Sequence, residues 1–146
     1  MDPQIQIIFQ LILAALLGGI IGLERKYKKR EAGPQTYSLV SLGACLFTII
    51  AFEFFSLLKG QVGIGFDPSR IIQAVAIGIG FLGAGIIFRR EFSIEGLTTA
   101  AGLWTMAAIG IAIGAKFYFL AISGTILAIG ILVGLGLLER KFFGKD

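Results

Sequence analysis

The side chains that could carry chemistry are few, and the charged ones cluster where apolar segments of the sequence end. Glu24 and Arg25 follow the first apolar segment, and Arg89, Arg90 and Glu91 follow the third. Charges of both signs at helix ends can form a network that fixes the loops, or they can simply be solvated. Histidine is absent, which removes imidazole acid–base catalysis and the commonest transition-metal ligand. We therefore predict a protein that is not an enzyme and needs no cofactor.

Oxygen-bearing side chains form a second set of candidates. Thr98, Thr99 and Thr105 occur in the fourth apolar segment, Gln73 in the third, and Glu53 near the end of the second. Hard cations such as Mg²⁺ bind oxygen ligands and usually keep several waters. A carboxylate inside a membrane span is a functional candidate, with the alternative that Glu53 only reaches the interface within a belt of phenylalanines. The sequence leaves the identity of any bound metal undetermined.

Five apolar segments must position these side chains. Hydrophobic residues make up 56% of the 146-residue chain, and about 20 consecutive apolar residues cross a bilayer as a helix. Segments of roughly that length cover residues 5–23, 37–58, 70–88, 97–114 and 117–138. The sequence thus predicts one domain over residues 1–146, an all-α polytopic membrane protein with five transmembrane helices.

Basic residues indicate how these helices are oriented. Most of the thirteen lysines and arginines lie in the first loop, after the third segment and in the C-terminal tail, and Lys59, Arg70 and Lys116 lie on the opposite side. The positive-inside rule then places the N-terminus outside and the C-terminus in the cytoplasm. The first residues lack the basic region of a cleavable signal peptide. Because the basic residues adjoin the spans, we predict contact with the lipid bilayer and no nucleic-acid partner.

Glycines in the third segment predict its place among the helices. At about 100° per residue, Gly78 and Gly85 lie on one face and Gly80 and Gly83 on the opposite face. Small residues let a second helix approach closely in lipid, so we expect the third helix to be central, with close neighbours on both sides. The predicted packing residues are Gly18, Gly22, Gly78, Gly80, Gly83 and Gly85.

Short patterns occur twice along the chain. The dipeptide Asp-Pro stands at 2–3 and at 67–68, and Gly-x-x-Thr stands at 33–36 and at 96–99. Asp-Pro is typical of a helix cap followed by the first helical residue, and Ser93 is expected to cap the fourth helix. The matches predict two parallel two-helix repeats, related by an axis normal to the membrane, plus one extra helix.

Four runs of residues resemble a known family. The runs IIGLERKYKKREAGPQT, DPSRI, GIGFLGAGIIFRR and GLTTAAGLW, in that order, resemble the membrane domain of the MgtC/SapB family. The resemblance implies a multi-pass protein of the bacterial cytoplasmic (inner) membrane. By position, the motif residues of the family fall on Glu24, Arg25, Ala32, Gly33, Thr36, Arg70, Gly80, Gly83, Gly85, Thr99 and Trp104.

Three details of the sequence bear on this resemblance. The family usually has a basic residue where Gln35 stands, so a contact with an anion or carboxylate at that position lacks its cation. Many members carry a soluble C-terminal domain, which we expect this chain, ending at Asp146, to lack. Trp104 lies deep in the fourth span, so its indole N–H is expected to have a hydrogen-bond partner.

The resemblance also implies a function. Members of the family are associated with magnesium limitation, acid stress and survival of pathogens inside host cells, and some with inhibition of the F-type ATP synthase. We therefore expect a regulator or adaptor that contacts membrane proteins such as that synthase; the alternative is a small homo-oligomeric transporter or channel for magnesium or another cation. A homo-oligomer is expected in either case, with a dimer favoured. The candidate functional residues are Glu24, Arg25, Thr36, Arg70, Gln73, Arg89, Arg90, Glu91, Thr98, Thr99 and Trp104.

Overall fold

The computed structural model describes residues 2–58, 67, 69–90 and 93–144, without the side chains of residues 89, 90, 139, 140 and 143. Helices make up most of it. In chain order the elements are α1 (Pro3–Tyr27), α2 (Pro34–Leu58), α3 (Ser69–Ile86), β1 (Phe88–Arg90), β2 (Ser93–Glu95), α4 (Leu97–Gly114), α5 (Tyr118–Gly130), a π-helical segment (Ile131–Leu135) and α6 (Gly136–Phe143).

The predicted set of five spans is confirmed within the described residues. The helices α1, α2, α3 and α4, and the continuous stretch Tyr118–Leu138, are each long and apolar enough to cross a membrane. Both α1 and α2 contain 25 residues, so each is about 37 Å long at 1.5 Å per residue, against a hydrocarbon core of about 30 Å. The end of α1, which carries Glu24 and Arg25, therefore extends to the membrane surface.

The start of α1 shows why this helix begins where it does. The Asp2 carboxylate accepts a hydrogen bond from the backbone N–H of Gln4 at 2.9 Å, and Pro3 occupies the first helical position. Asp67 accepts the same kind of bond from the N–H of Ser69 at the start of α3, also at 2.9 Å. The predicted cap is confirmed at both sites, whereas Pro68 lies outside the described residues and the two-helix repeat stays a prediction.

The connection between α3 and α4 differs from the predicted simple loop. Strands β1 and β2 pair in antiparallel register, with Phe88 opposite Glu95. The expectation that Ser93 caps α4 is wrong, because Ser93 lies in β2 and Gly96 occupies the cap position without a side-chain hydrogen bond. Gly96 has a left-handed φ of 84°, and a Cβ there would collide with the carbonyl oxygen of Ile86. A tight chain reversal at the hairpin thus replaces the side-chain cap.

The central helix is α4, and the expectation that α3 is central is wrong. α4 packs against α1, α2, α3 and α5, and Leu103, Met106 and Ile113 on it are fully buried. In α3 only Ile79 and Gly83 are buried. Small residues on two faces of α3 leave room for a neighbouring helix on each side, but such a helix need not belong to the same chain.

The closest helix contacts join α1 and α4 to α2. A Cβ on Gly18 would lie 2.5 Å from the carbonyl oxygen of Tyr37, and one on Gly22 would collide with the backbone of Pro34. On the other side of α2, a Cβ on Gly114 would lie 2.7 Å from the carbonyl oxygen of Cys45. The core is therefore a three-helix unit of α1, α2 and α4, with α3 and α5 placed against α4.

Candidate functional site

Polar side chains meet where α1 ends and where α2 and α4 begin. We call Glu24, Arg25, Lys28, Glu31, Tyr37 and Thr99 the charged cluster. Within this cluster Tyr37 is fully buried, and its hydroxyl donates to the backbone carbonyl of Thr99 at 3.3 Å. The ring fits because residue 102 is glycine: a Cβ there would collide with the Tyr37 hydroxyl oxygen. The first turns of α2 and α4 are thereby fixed to each other.

The linker after α1 is tied to α4 by a carboxylate. Glu31 Oε2 accepts a hydrogen bond of 2.6 Å from Thr99 Oγ1, in the first turn of α4. A negative charge is favourable at a helix N-terminus, where the backbone N–H groups point outward. That hydrogen bond is the largest cause that lowers the pKa of Glu31, and the charges of Arg30 and Arg25 lower it further. Glu31 is thus held as a carboxylate.

Arg25 places a cation inside the same cluster. Only 2% of the residue is exposed, and its Nη1 lies 3.5 Å from Glu24 Oε2. Its Nε and Nη2 groups are buried and have no hydrogen-bond partner among the described residues. Because unpaired buried donors are costly, this guanidinium marks a place where an added acceptor would be stabilising.

Lys28 connects the cluster to the last span. Its ammonium nitrogen lies 2.7 Å from Glu24 Oε1, one helical turn earlier in the chain. The same nitrogen donates to the carbonyl oxygen of Leu132 at 2.6 Å. Leu132 lies in the π-helical segment, and such segments often accompany functional sites. The end of α1 and the linker after it are therefore fixed to two other helices, the last span through Lys28 and α4 through Glu31.

Other predicted site residues lie elsewhere. Arg70 and Gln73 are exposed near the start of α3, Thr36 and Thr98 are exposed at the starts of α2 and α4, and Trp104 is 57% exposed on α4. The hydrogen-bond partner expected for the Trp104 indole is not found in the part of the chain that the structure describes. Arg89 and Arg90 lie in β1 with side chains that are not described, and Glu91 lies outside the described residues. A network linking them to Glu24 stays a prediction.

The sequence did not identify Glu31, Tyr37 or Lys28 as site residues. The bond from Thr99 to Glu31 spans 68 positions and that from Lys28 to Leu132 spans 104. No local sequence pattern predicts contacts between residues so far apart in the chain. The one available signal was the placement of Glu31 and Lys28 in the linker and last turn beside the predicted residues Glu24 and Arg25.

Five apolar helices with a charged cluster at their ends define a multi-pass protein of the bacterial inner membrane. A family model, MgtC family, matches residues 11–141, and the chain belongs to the MgtC family. The predicted resemblance is confirmed.

Three bacterial proteins are similar in sequence to this protein over most of its length. The "Putative magnesium transporter YhiD" of Escherichia coli K12 is 42% identical over 141 residues, which is 97% of this chain and 66% of that protein. Protein MgtC of Brucella abortus strain 2308 is 43% identical over 118 residues, 81% of this chain and 46% of the relative. Protein SrpB of Synechococcus elongatus is 37% identical over 142 residues, 90% of this chain and 76% of the relative. The chain therefore spans less than two thirds of the length of some relatives. No solved structure matches.

Proposed function

We propose that this protein is a membrane-embedded regulator or adaptor in adaptation to magnesium limitation or acid stress, and that it acts by lateral contact with another membrane protein. The observation that carries the proposal is a groove between α2 and α3. Its cavity measures about 670 Å³, and Thr36 provides the one side-chain hydroxyl in a lining that is otherwise aliphatic, aromatic and glycine.

Glycines leave room in this groove for a partner helix. Gly43 of α2 and Gly78 of α3 both line it, and a Cβ on either would find no atom of another described segment within 4 Å. Van der Waals packing at small residues is a main source of helix association in lipid. A helix from a partner protein, or from a second copy in a homodimer, fits such a surface.

The groove also reaches the charged cluster. Thr36, at its end, precedes Tyr37, which bonds to Thr99. Thr36 lines a second cavity of about 400 Å³ together with Ile86 and Leu103. A partner seated in the groove would therefore contact α2 one residue away from Tyr37 of the charged cluster.

The test uses the F-type ATP synthase as the candidate partner. The synthase is reconstituted in proteoliposomes with and without this protein, and ATP synthesis is measured under an imposed proton gradient. We expect the wild type to lower the rate and Gly78→Ile to relieve that inhibition, because the added side chain fills the groove. Gly130→Ile is the matched control, since Gly130 on α5 is equally open. Equal inhibition by both variants would show that the groove is not the contact surface. No inhibition by the wild type would show that the synthase is not the partner.

Ion transport is the second candidate, because one relative carries the name "Putative magnesium transporter YhiD". The oxygens suggested by the sequence are dispersed: Thr99 is bonded to Glu31, and Thr105 Oγ1 donates to its own helix at the carbonyl of Ala101. Proteoliposomes that contain a magnesium-sensitive dye test the transporter directly. Influx above that of empty vesicles would favour transport, and the groove variant Gly78→Ile would then leave the influx unchanged.

A further inference from the structure

A polar cavity lies at the end of the helices opposite the charged cluster. It is bounded by α1, α2 and the turn after α4. It measures about 380 Å³, and its polar lining comes from Gln6, Gln10, Glu53, Ser56 and Lys116. From Thr99 to Gly114 along α4 the separation is about 22 Å at 1.5 Å per residue. The two polar regions are therefore distinct sites.

Gln10 forms the rigid inner wall of this cavity. It is 1% exposed, and its Nε2 donates to the carbonyl oxygens of Ile113 at 2.7 Å and Gly114 at 3.0 Å. Those carbonyls belong to the last turn of α4, beyond the regular hydrogen bonds of the helix, and that of Ile113 also accepts from the backbone N–H of Lys116. Both bonds use the amide nitrogen of Gln10, and the residue also lines the cavity.

Lys116 is held at the rim in an unfavourable conformation. Its φ is 67°, in the left-handed region that side-chain-bearing residues rarely adopt. The turn is fixed by the N–H of Lys116, which donates to the carbonyl of Ile113 at 2.9 Å. The ammonium nitrogen then lies 3.4 Å from Gln6 Oε1. Strained residues of this kind concentrate at sites that bind ligands.

Glu53 lines the same cavity from α2 but does not pair with Lys116. No hydrogen bond or ion pair joins the Glu53 side chain to any residue in the described part of the chain, so the carboxylate and the ammonium lie more than 4 Å apart. A free divalent cation would be attracted by the Glu53 carboxylate but repelled by the Lys116 ammonium. A simple anion would be attracted by the ammonium but repelled by the carboxylate. Only a ligand with charges of both signs satisfies both groups.

We propose that this cavity binds a zwitterionic phosphoethanolamine headgroup, with its primary ammonium at Glu53 and its phosphate at Lys116. In this proposal the amide oxygen of Gln10 and the hydroxyl of Ser56, two residues of the same lining, accept the remaining ammonium hydrogens. Ile7, Ile49 and Phe52 supply the apolar part of the lining, which suits the glycerol and acyl portion of a phospholipid. A quaternary choline headgroup has no N–H to donate, so the site discriminates against it.

The test is lipid binding to the purified, delipidated full chain, followed by native mass spectrometry. Phosphatidylethanolamine, phosphatidylcholine and phosphatidylglycerol with identical acyl chains are titrated separately. We expect phosphatidylethanolamine to bind about tenfold more tightly than the other two lipids, which is the effect of one charge-assisted hydrogen bond. Glu53→Gln should abolish that preference, and Lys116→Gln should weaken the binding of all three lipids, because they share the phosphate. Lys141→Gln, which removes an exposed charge outside the cavity, should change neither.

Soluble glycerophosphoethanolamine separates a lipid from a free solute. If it displaces the lipid at millimolar concentration, the headgroup alone is recognised; if it does not, the acyl chains are required, and in both cases the headgroup assignment holds. Equal binding of the three lipids, a preference for phosphatidylglycerol, an unchanged preference in Glu53→Gln, or unchanged affinities in Lys116→Gln would overturn the proposal. Glu53 and Lys116 are exposed, so both variants are expected to fold, and their circular dichroism and elution volume confirm it.

Discussion

Thr99 Oγ1 lies 2.6 Å from Glu31 Oε2, and this bond joins the linker after α1 to the first turn of the central helix. The backbone carbonyl of Thr99 accepts from the Tyr37 hydroxyl at the same time. One threonine therefore connects three segments, the linker, α2 and α4.

Thr99→Val should destabilise the fold. Valine keeps the shape of threonine but donates no hydrogen bond, so the free energy of unfolding should fall by about 1 kcal/mol. Unfolding in mixed micelles, with increasing denaturing detergent, measures the change. Thr98→Val is the matched control, since Thr98 is the exposed neighbour; an equal loss in both variants would argue against the Glu31 bond.

The same bond predicts an acid-sensitive contribution to stability. The pKa of Glu31 is lowered from its ordinary value of 4.5 in the folded protein, chiefly by the hydrogen bond from Thr99. A carboxyl with a lowered folded pKa contributes stability that is present above the unfolded value and is lost as the pH falls through the folded value. Between pH 6 and pH 3, wild type should therefore lose more stability than Glu31→Gln, which cannot titrate. Parallel pH curves for the two proteins would contradict this.

Two glycine substitutions should have opposite effects. Gly78→Ala adds a methyl group in open space on α3 and should raise stability by about 0.5–1 kcal/mol, because alanine is the better helix former. Gly22→Ala places its methyl group against the backbone of Pro34 and should cost about 1–3 kcal/mol. Detergent unfolding of the two single variants measures both changes.

Gln10→Leu should loosen the end of α4. The substitution leaves the carbonyls of Ile113 and Gly114 without their side-chain donor, at a cost of about 2 kcal/mol. Hydrogen exchange of the amides in the turn after α4 should increase. Gln4→Leu, on the exposed first turn of α1, should leave the exchange unchanged.

Lys28→Met should free the last span from α1. It removes both the ion pair with Glu24 and the bond to the Leu132 carbonyl, while the methionine keeps most of the apolar stem. Exchange at Ile131–Leu135 should rise several-fold, and Lys26→Met, an exposed lysine on the same helical turn, serves as control. Unchanged exchange in the Lys28 variant would show that packing alone holds the π-helical segment.

The sequence predicts local features of this fold well. Runs of apolar residues placed the five spans, and Asp2 predicted the start of α1, because span length and capping depend on neighbouring residues only. The position of each helix among the others was not predictable in the same way. The two glycine faces of α3 indicated a central helix, whereas the core formed around α4, with its buried Leu103 and Met106.

In the candidate site, too, the local contacts were predictable from the sequence and the long-range contacts were not. Glu24 and Lys28 pair within one helical turn, and their spacing predicts it. Glu31 became part of the site only through Thr99, across the whole of α2 and α3. Such contacts follow from how the helices pack, and periodicity within one helix carries no information about them.

The hairpin that joins α3 to α4 has a consequence for movement within the bilayer. Gly96, pressed against the Ile86 carbonyl, fixes the distance between the end of one helix and the start of the next. Toward its other end α3 has few buried residues. We therefore expect any displacement of α3 to be a tilt about the hairpin, with an amplitude that increases toward Ser69. A groove with one fixed and one free wall would then adjust its width to its occupant while α1, α2 and α4 remain packed.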